Sequence, residues 1–236
     1  MKLKQVFGFL FLTMVASSCS EDSETTTTSP GYDYFPLETG MYTTYEVDSI
    51  FHDQPLAGVP GIHDTAHYFL KEVVDSTFLD AEGETGYRIV RYKRDSTNQE
   101  WILTDIWSAK LSPNNAERIE ENLRYVKLAF PISRFSNWDG NALNNLDEWR
   151  FSYDSLYIPR QYGDLNFQET VTVDERFFLT EVNDEFAYEV YAKDVGLIFR
   201  HHKVLFTRPS YLNNRVAQNI ISGYEYKWEV IAYGME

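Results

Sequence analysis

Aromatic and β-branched residues alternate with polar ones along most of this chain, and that period of two constrains its fold more than any other feature. Clusters of turn-forming residues at 82–86 and 95–98 separate consecutive stretches, so short antiparallel hairpins are expected. The sequence therefore predicts a mainly β fold: a single antiparallel, strongly curved sheet or half-open barrel or sandwich, with few short helices. The predicted strands are 42–50, 66–78, 86–94, 99–109, 123–130, 149–156, 168–173, 186–192, 196–206 and 223–233.

Two segments allow more than one interpretation. Residues 112–122 fit either a short capped helix or a turn followed by a strand. Residues 174–180 either extend a strand or form a turn of helix. In the stretch that follows the first segment, Val126, Leu128 and Phe130 alternate with other residues and are expected to face the same side of a strand.

The N-terminus has the layout of a secretory signal. Two lysines within the first four residues precede an apolar run at 6–15, and small residues at 16–18 lead to Cys19. The apolar run is too short to cross a bilayer, which takes about 20 residues. The small residues ending at Cys19 resemble the lipobox of bacterial lipoproteins. That resemblance implies that a signal peptide, residues 1–18, is removed and that Cys19 carries the lipid.

Residues 19–31 contain no core-forming side chains and are expected to form a disordered, lipidated tether. The acidic run at 20–24 resembles the surface-export signal of Bacteroidota lipoproteins, although a plain solvated linker has the same composition. The expected location is the cell envelope, with lipid anchorage in the outer membrane and surface exposure favoured over a periplasm-facing position. Residues 32–236 are long enough for one antiparallel β domain.

The charge of the chain limits its partners. The formal net charge is -15, and removal of Lys2 and Lys4 with the signal makes the mature chain more acidic. Such a domain repels nucleic-acid phosphates and anionic lipid headgroups, so the membrane contact is expected through the N-terminal lipid alone. No nucleic-acid partner is expected, and acidic ligands are disfavoured.

No motif in the sequence implies catalysis, a metal or a cofactor. His63 and His67 would share a face of a helix, but in a strand they lie about 13 Å apart, too far for one ion. His201 and His202 are neighbours in a strand and should point to opposite faces. The acidic pairs at 174–175 and 184–185 are interpreted as solvated turns, since strand neighbours cannot flank a sugar bond.

Five Asp-Ser or Asp-Thr tripeptides resemble the O-glycosylation acceptor of Bacteroidota secreted proteins. The alternative is that these pairs only end strands and begin turns. The resemblance implies a glycan on at least one of the five hydroxyl residues: Ser49, Thr65, Ser76, Ser96 and Ser155.

Longer patterns resemble a broad group of Bacteroidota lipoproteins of unknown function. They cover most of the mature chain but are short and structural, and the group supplies no catalytic residues. The patterns are YFPLETG at 34–40, VKLAFPI at 126–132, WDGN at 138–141, YAKDVGLI at 191–198 and GYEY at 223–226.

These observations favour a membrane-anchored envelope lipoprotein with a non-enzymatic binding or structural role and an unknown protein, glycan or apolar ligand as its partner. One alternative is a carrier that holds a lipid or another apolar ligand in a curved-sheet cleft, which a closed and filled interior would rule out. A hydrolase of envelope glycans ranks last. Tyrosine and tryptophan on a concave sheet face would support glycan or apolar-ligand binding.

Overall fold

The computed structural model describes residues 29–53, 62–212 and 215–236, with the side chains of 209–218 left outside the description. The described residues form twelve strands and no α-helix; a single 3-10 turn covers Tyr32–Tyr34. The strands are β1 (Met41–Asp53), β2 (Ile62–Leu79), β3 (Thr85–Arg94), β4 (Ile102–Leu111), β5 (Asn115–Glu120), β6 (Leu123–Ala129), β7 (Asn137–Asp139), β8 (Arg150–Tyr162), β9 (Leu165–Leu179), β10 (Asn183–Ala192), β11 (Gly196–Leu212) and β12 (Arg215–Met235).

All twelve strands belong to one antiparallel sheet in the order β6-β5-β4-β3-β2-β1-β12-β11-β10-β9-β8-β7. The sheet curls until its two edge strands meet. At this seam the Val126 backbone N–H donates to the Gly140 carbonyl at 2.9 Å, and the Asn144 side-chain amide donates to the Arg124 carbonyl at 3.0 Å. The sheet is thus nearly closed into a barrel, and the predicted fold class is confirmed.

The two ambiguous segments are both extended. The strand interpretation of 112–122 is correct, since residues 115–120 form β5. Residues 174–179 of the second segment belong to β9. The predicted turn at 138–141 overlaps the short strand β7, since the chain turns only from residue 140, and Gly140 does not adopt a positive φ. The absence of a side chain is what matters there, because a Cβ on Gly140 would lie 2.4 Å from the Phe151 ring.

A bulge changes the facing of strand β6. Ala116 pairs with Leu128 and Glu117 pairs with Val126, which leaves Lys127 as the extra residue. Leu128 and Phe130 both belong to the core, as predicted for one face, whereas Val126 is buried outside that core cluster. Lys127 is buried among charged partners inside the barrel.

The two ends of the barrel differ. Residues 31–37 close one end, where Tyr34 and Phe35 are buried and the backbone N–H of Asp194 donates to the carbonyl of Asp33 at 2.7 Å. We call this the plugged end; a cavity of about 70 Å³ lies beneath the plug. The opposite end, which we call the mouth, carries the β3–β4 and β9–β10 turns, the end of β1 and the start of β2.

Candidate functional site

Eight charged side chains occupy the middle of the barrel, and we call them the charged belt. All are largely removed from solvent, and Glu189 is 0% exposed. They balance as four acids and four bases on seven strands: Glu72, Arg91, Arg118, Glu120, Lys127, Glu175, Glu189 and Arg200.

Lys127 joins the two sides of the seam. Its ammonium lies 2.5 Å from Glu175 on β9 and 2.9 Å from Glu189 on β10, although Lys127 itself is on β6. Because β6 and β9 stand near opposite edges of the open sheet order, these ion pairs bind the edges together. The bulge that turns Lys127 inward is thus part of what closes the barrel.

Arg200 crosses the lumen. Its guanidinium binds Glu189 on the neighbouring strand at 2.5 Å and Glu120 on β5 at 3.2 Å. Strands β11 and β5 are six positions apart in a sheet of twelve, so this contact connects opposite walls. Side chains that span the lumen in this way fill it, which counts against an acyl chain passing through the barrel centre.

Two tryptophan rings complete the belt. The Arg91 guanidinium lies 3.7 Å from the centre of the Trp107 ring, and the Arg200 guanidinium lies 4.6 Å from the centre of the Trp228 ring. Arg91 also binds Glu72 at 3.1 Å. Such cation–π contacts are stronger away from water, so they help to offset the cost of burying the guanidinium groups.

Burial and neighbouring charges shift the pKa values of the belt carboxylates in different directions. Burial opposes ionisation of Glu120, but Arg200 and Arg118 outweigh it and lower its pKa to about 2. Arg200 and Lys127 likewise hold the pKa of Glu189 well below its usual range against the effect of burial. Glu175 behaves oppositely, because burial and the charge of Glu189 raise its pKa to about 7.

Above the belt, at the mouth, aromatic and polar side chains form a second group that we call the mouth cluster. Tyr224 and Tyr226 on β12 are nearly parallel, at 8° with ring centres 6.0 Å apart. His202 on β11 lies 5.3 Å from the Tyr226 ring and 5.7 Å from the Trp149 ring. Tyr224 is 38% exposed, so the cluster reaches the surface.

Polar groups border these rings. Arg176 on β9 binds Glu185 on β10 at 2.6 Å, and its guanidinium lies 5.8 Å from the Trp149 ring. His202 Nδ1 is 2.9 Å from the Tyr226 hydroxyl. Burial and the charge of Arg200 lower the pKa of His202 to about 4, so its ring is neutral at pH 7. The mouth therefore offers ring faces beside hydrogen-bonding groups, the combination typical of sites for small polar molecules.

The structure separates the predicted histidine groups. His63 and His67 both lie on β2, in agreement with the strand interpretation. His201 contacts Glu225 while His202 joins the mouth cluster, which confirms that these neighbours point to opposite faces. The solvated-turn interpretation is wrong for both acidic pairs, because residues 174–175 lie in β9 and residues 184–185 lie in β10. Strand β9 carries Glu175 into the belt.

The predicted lipid site Cys19 lies outside the described residues. The five predicted glycan acceptors lie within them and differ in access. Thr65 and Ser96 are exposed, whereas Ser49, Ser76 and Ser155 are half-buried. The Ser155 hydroxyl donates to the Thr172 hydroxyl at 2.9 Å, so Thr65 and Ser96 are the more accessible acceptors.

Within the described ranges, no group of three or more His, Cys, Asp or Glu side chains is arranged to hold a metal ion. In the same part of the chain, no helix is long and apolar enough to cross a membrane.

No protein-family model matches the chain, and no curated protein sequence matches it significantly. Two solved structures align with it. One is a candidate exported protein with a YmcC-like fold from Bacteroides fragilis, with 11% identity and a TM-score of 0.42 over 84% of this chain and 97% of that one. The other is lipovitellin, in a structure concerned with its lipid–protein interactions, with 7% identity and a TM-score of 0.41 over 85% of this chain and 26% of lipovitellin.

The first prediction concerns Lys127. The substitution Lys127→Met leaves Glu175 and Glu189 buried without their shared cation, so the free energy of unfolding should fall by about 3–5 kcal/mol. Chemical denaturation followed by tryptophan fluorescence measures the loss. Lys93→Met removes an exposed ion pair with Asp95 and should cost no more than about 1 kcal/mol. Equal losses in the two variants would contradict the role assigned to Lys127.

The second prediction concerns Glu175. Its pKa in the folded chain, about 7, is above its ordinary value of 4.5, so the folded state binds an extra proton between these values. The stability that this proton contributes is lost as the pH rises through 7. Glu175→Gln mimics the protonated acid, so the variant should gain stability relative to the parent chain between pH 5 and pH 8. His202 titrates in both chains and cancels from this difference. A pH-independent difference between the two unfolding free energies would contradict the prediction.

Proposed function

We propose that this chain is an envelope lipoprotein, held to the outer membrane through Cys19, whose mouth cluster binds a neutral glycan without catalysing a reaction. The observation that carries the proposal is the pair of nearly parallel rings of Tyr224, which is exposed at the mouth, and Tyr226, which lies half-buried beside it. Sugar rings have apolar C–H faces and hydroxyl edges. The tyrosine rings can pack against the C–H faces of a sugar, and the polar groups around the rings can form hydrogen bonds with its hydroxyl groups.

Hydrogen-bonding capacity around the platform supports a hydroxylated ligand. The Arg176–Glu185 pair presents donors and acceptors together. Among the described residues, Trp149 Nε1 and His202 Nε2 are buried and have no hydrogen-bond partner. A hydroxyl group that reached either nitrogen would remove an unfavourable unpaired polar atom.

The negative net charge of the chain disfavours acidic glycans as ligands. The chain is strongly acidic, and it repels uronic acids, sialic acids and phosphorylated sugars as it repels other anions. Neutral oligosaccharides carry no such penalty. The belt beneath the mouth fills the lumen, so the ligand binds across the mouth and does not enter the barrel.

The direction of the tether suits this role. Residue 132 follows β6 at the plugged end, and its backbone N–H donates to the carbonyl of Pro30 at 3.0 Å. The chain therefore leaves the domain toward Cys19 from the plugged end. A membrane anchor at Cys19 would be attached to the end of the domain opposite the mouth, so the anchor would not cover the mouth. Surface display would then expose the mouth to external glycans.

The third prediction tests the anchor and the modification. Protein purified from its own host should have an intact mass that corresponds to a chain starting at Cys19 with attached acyl groups. Hexose-sized increments should map first to Thr65 and Ser96. Cys19→Ala should move the protein from the membrane fraction to the soluble fraction. A membrane-bound Cys19→Ala variant, or a native N-terminus without acyl groups, would refute the anchor.

The fourth prediction tests the mouth. Isothermal titration with neutral oligosaccharides (maltoheptaose, cellohexaose and mannohexaose) should detect binding, and Tyr224→Ala should weaken it at least about tenfold, the equivalent of one aromatic contact. Tyr233→Ala is the matched control, since Tyr233 is also exposed on β12 but lies near the plugged end. The proposal fails if no neutral oligosaccharide binds or if both variants bind equally.

A further inference from the structure

Two histidines face each other on the β1–β2 hairpin. His52 on β1 is directly opposite His63 on β2, with ring centres 4.9 Å apart. Their Nδ1 atoms are 2.7 Å apart. Only one proton fits between two nitrogens at this distance, so at least one nitrogen lone pair already points at the other ring.

We propose that His52 and His63 together bind one divalent transition-metal ion of the copper–zinc class through their Nδ1 atoms. Imidazole nitrogen is a preferred ligand of these ions. Two metal–nitrogen bonds of about 2.0–2.1 Å that meet at a tetrahedral angle hold the nitrogens about 3.3 Å apart, slightly wider than the present spacing. The proton between the rings moves to the outer Nε2 of its own ring, so two neutral imidazoles can bind the ion without net loss of a proton.

The neighbouring strand β12 meets the histidine pair at a glycine. Gly223 on β12 pairs with His52 and presents no side chain beside it. Glycine is required there, because a Cβ on Gly223 would lie 2.1 Å from the Val204 carbonyl oxygen. Glu225, two residues along β12, is engaged by His201 Nε2 at 2.7 Å. The protein therefore supplies two ligands, and water completes the coordination.

A third histidine on the same strand provides a natural control. His67 lies four residues from His63 on β2, so the two share a face of the strand. Its ring nitrogens are 2.9 Å from Asp48 and 3.3 Å from Glu46. Both nitrogens of His67 thus face carboxylates, and its cross-strand partner on β1 is Asp48 and not a histidine.

The fifth prediction tests this site on the full chain with Cu²⁺ as the probe. Calorimetric titration should show one Cu²⁺ ion bound per protein chain. Electron paramagnetic resonance should show hyperfine coupling of the copper to two nitrogens. His52→Gln and His63→Gln should each weaken Cu²⁺ binding at least about tenfold and reduce the coupling to one nitrogen. His67→Gln should match the parent chain in both measurements. Zn²⁺ should compete for the bound Cu²⁺.

Thermal unfolding gives an independent readout, since an ion that binds only the folded chain raises its melting temperature. The rise should be equal in the parent chain and in His67→Gln, and it should be smaller in His63→Gln at the same Cu²⁺ concentration. Equal Cu²⁺ affinity in the parent chain and in the His52→Gln/His63→Gln double variant would overturn the proposal, as would loss of binding in His67→Gln alone. These results do not depend on glycan binding at the mouth.

Discussion

The barrel depends on the burial of balanced charges across its lumen. Removing a carboxylate or guanidinium from water costs several kcal/mol, and only close, well-paired partners repay it. In this chain Lys127 and Arg200 each contact two acids that lie on other strands, so the pairing exists only when distant parts of the sheet come together. The belt therefore ties sheet closure to charge pairing.

This arrangement gives the barrel two different ends. Residues 31–37 plug one end and the belt fills the middle, so the proposed ligand surface is the mouth. The aromatic rings there rest on the belt through Tyr226, which lies 6.2 Å from the Trp228 ring that Arg200 covers. A rigid, filled interior beneath an aromatic rim suits binding across a surface more than enclosure of a large apolar molecule.

The strands were predictable because their alternation of apolar and polar residues is a local property of the sequence. The belt was not, and Glu175 shows why. It stands beside Asp174 in an acidic pair typical of a turn, and only a bulge in β9 and the approach of Lys127 from β6 bring it inside. One sequence pattern could have indicated the belt: a charged residue that alternates in step with inward-facing apolar residues. Glu189, between Ala187 and Tyr191, is an example. His52 was missed for a related reason, since its partner is set by hairpin register and not by spacing along one strand.

The sequence by itself determined the β class, the antiparallel hairpins, the acidic surface and the expectation of a lipid anchor at Cys19. Each follows from local pattern or overall composition, which need no knowledge of distant contacts. The tertiary structure alone decided that the sheet closes, which charges lie inside it, and which rings gather at the mouth. Those outcomes depend on strand order, bulges and register, where a shift of one residue exchanges the inner and outer faces of a strand.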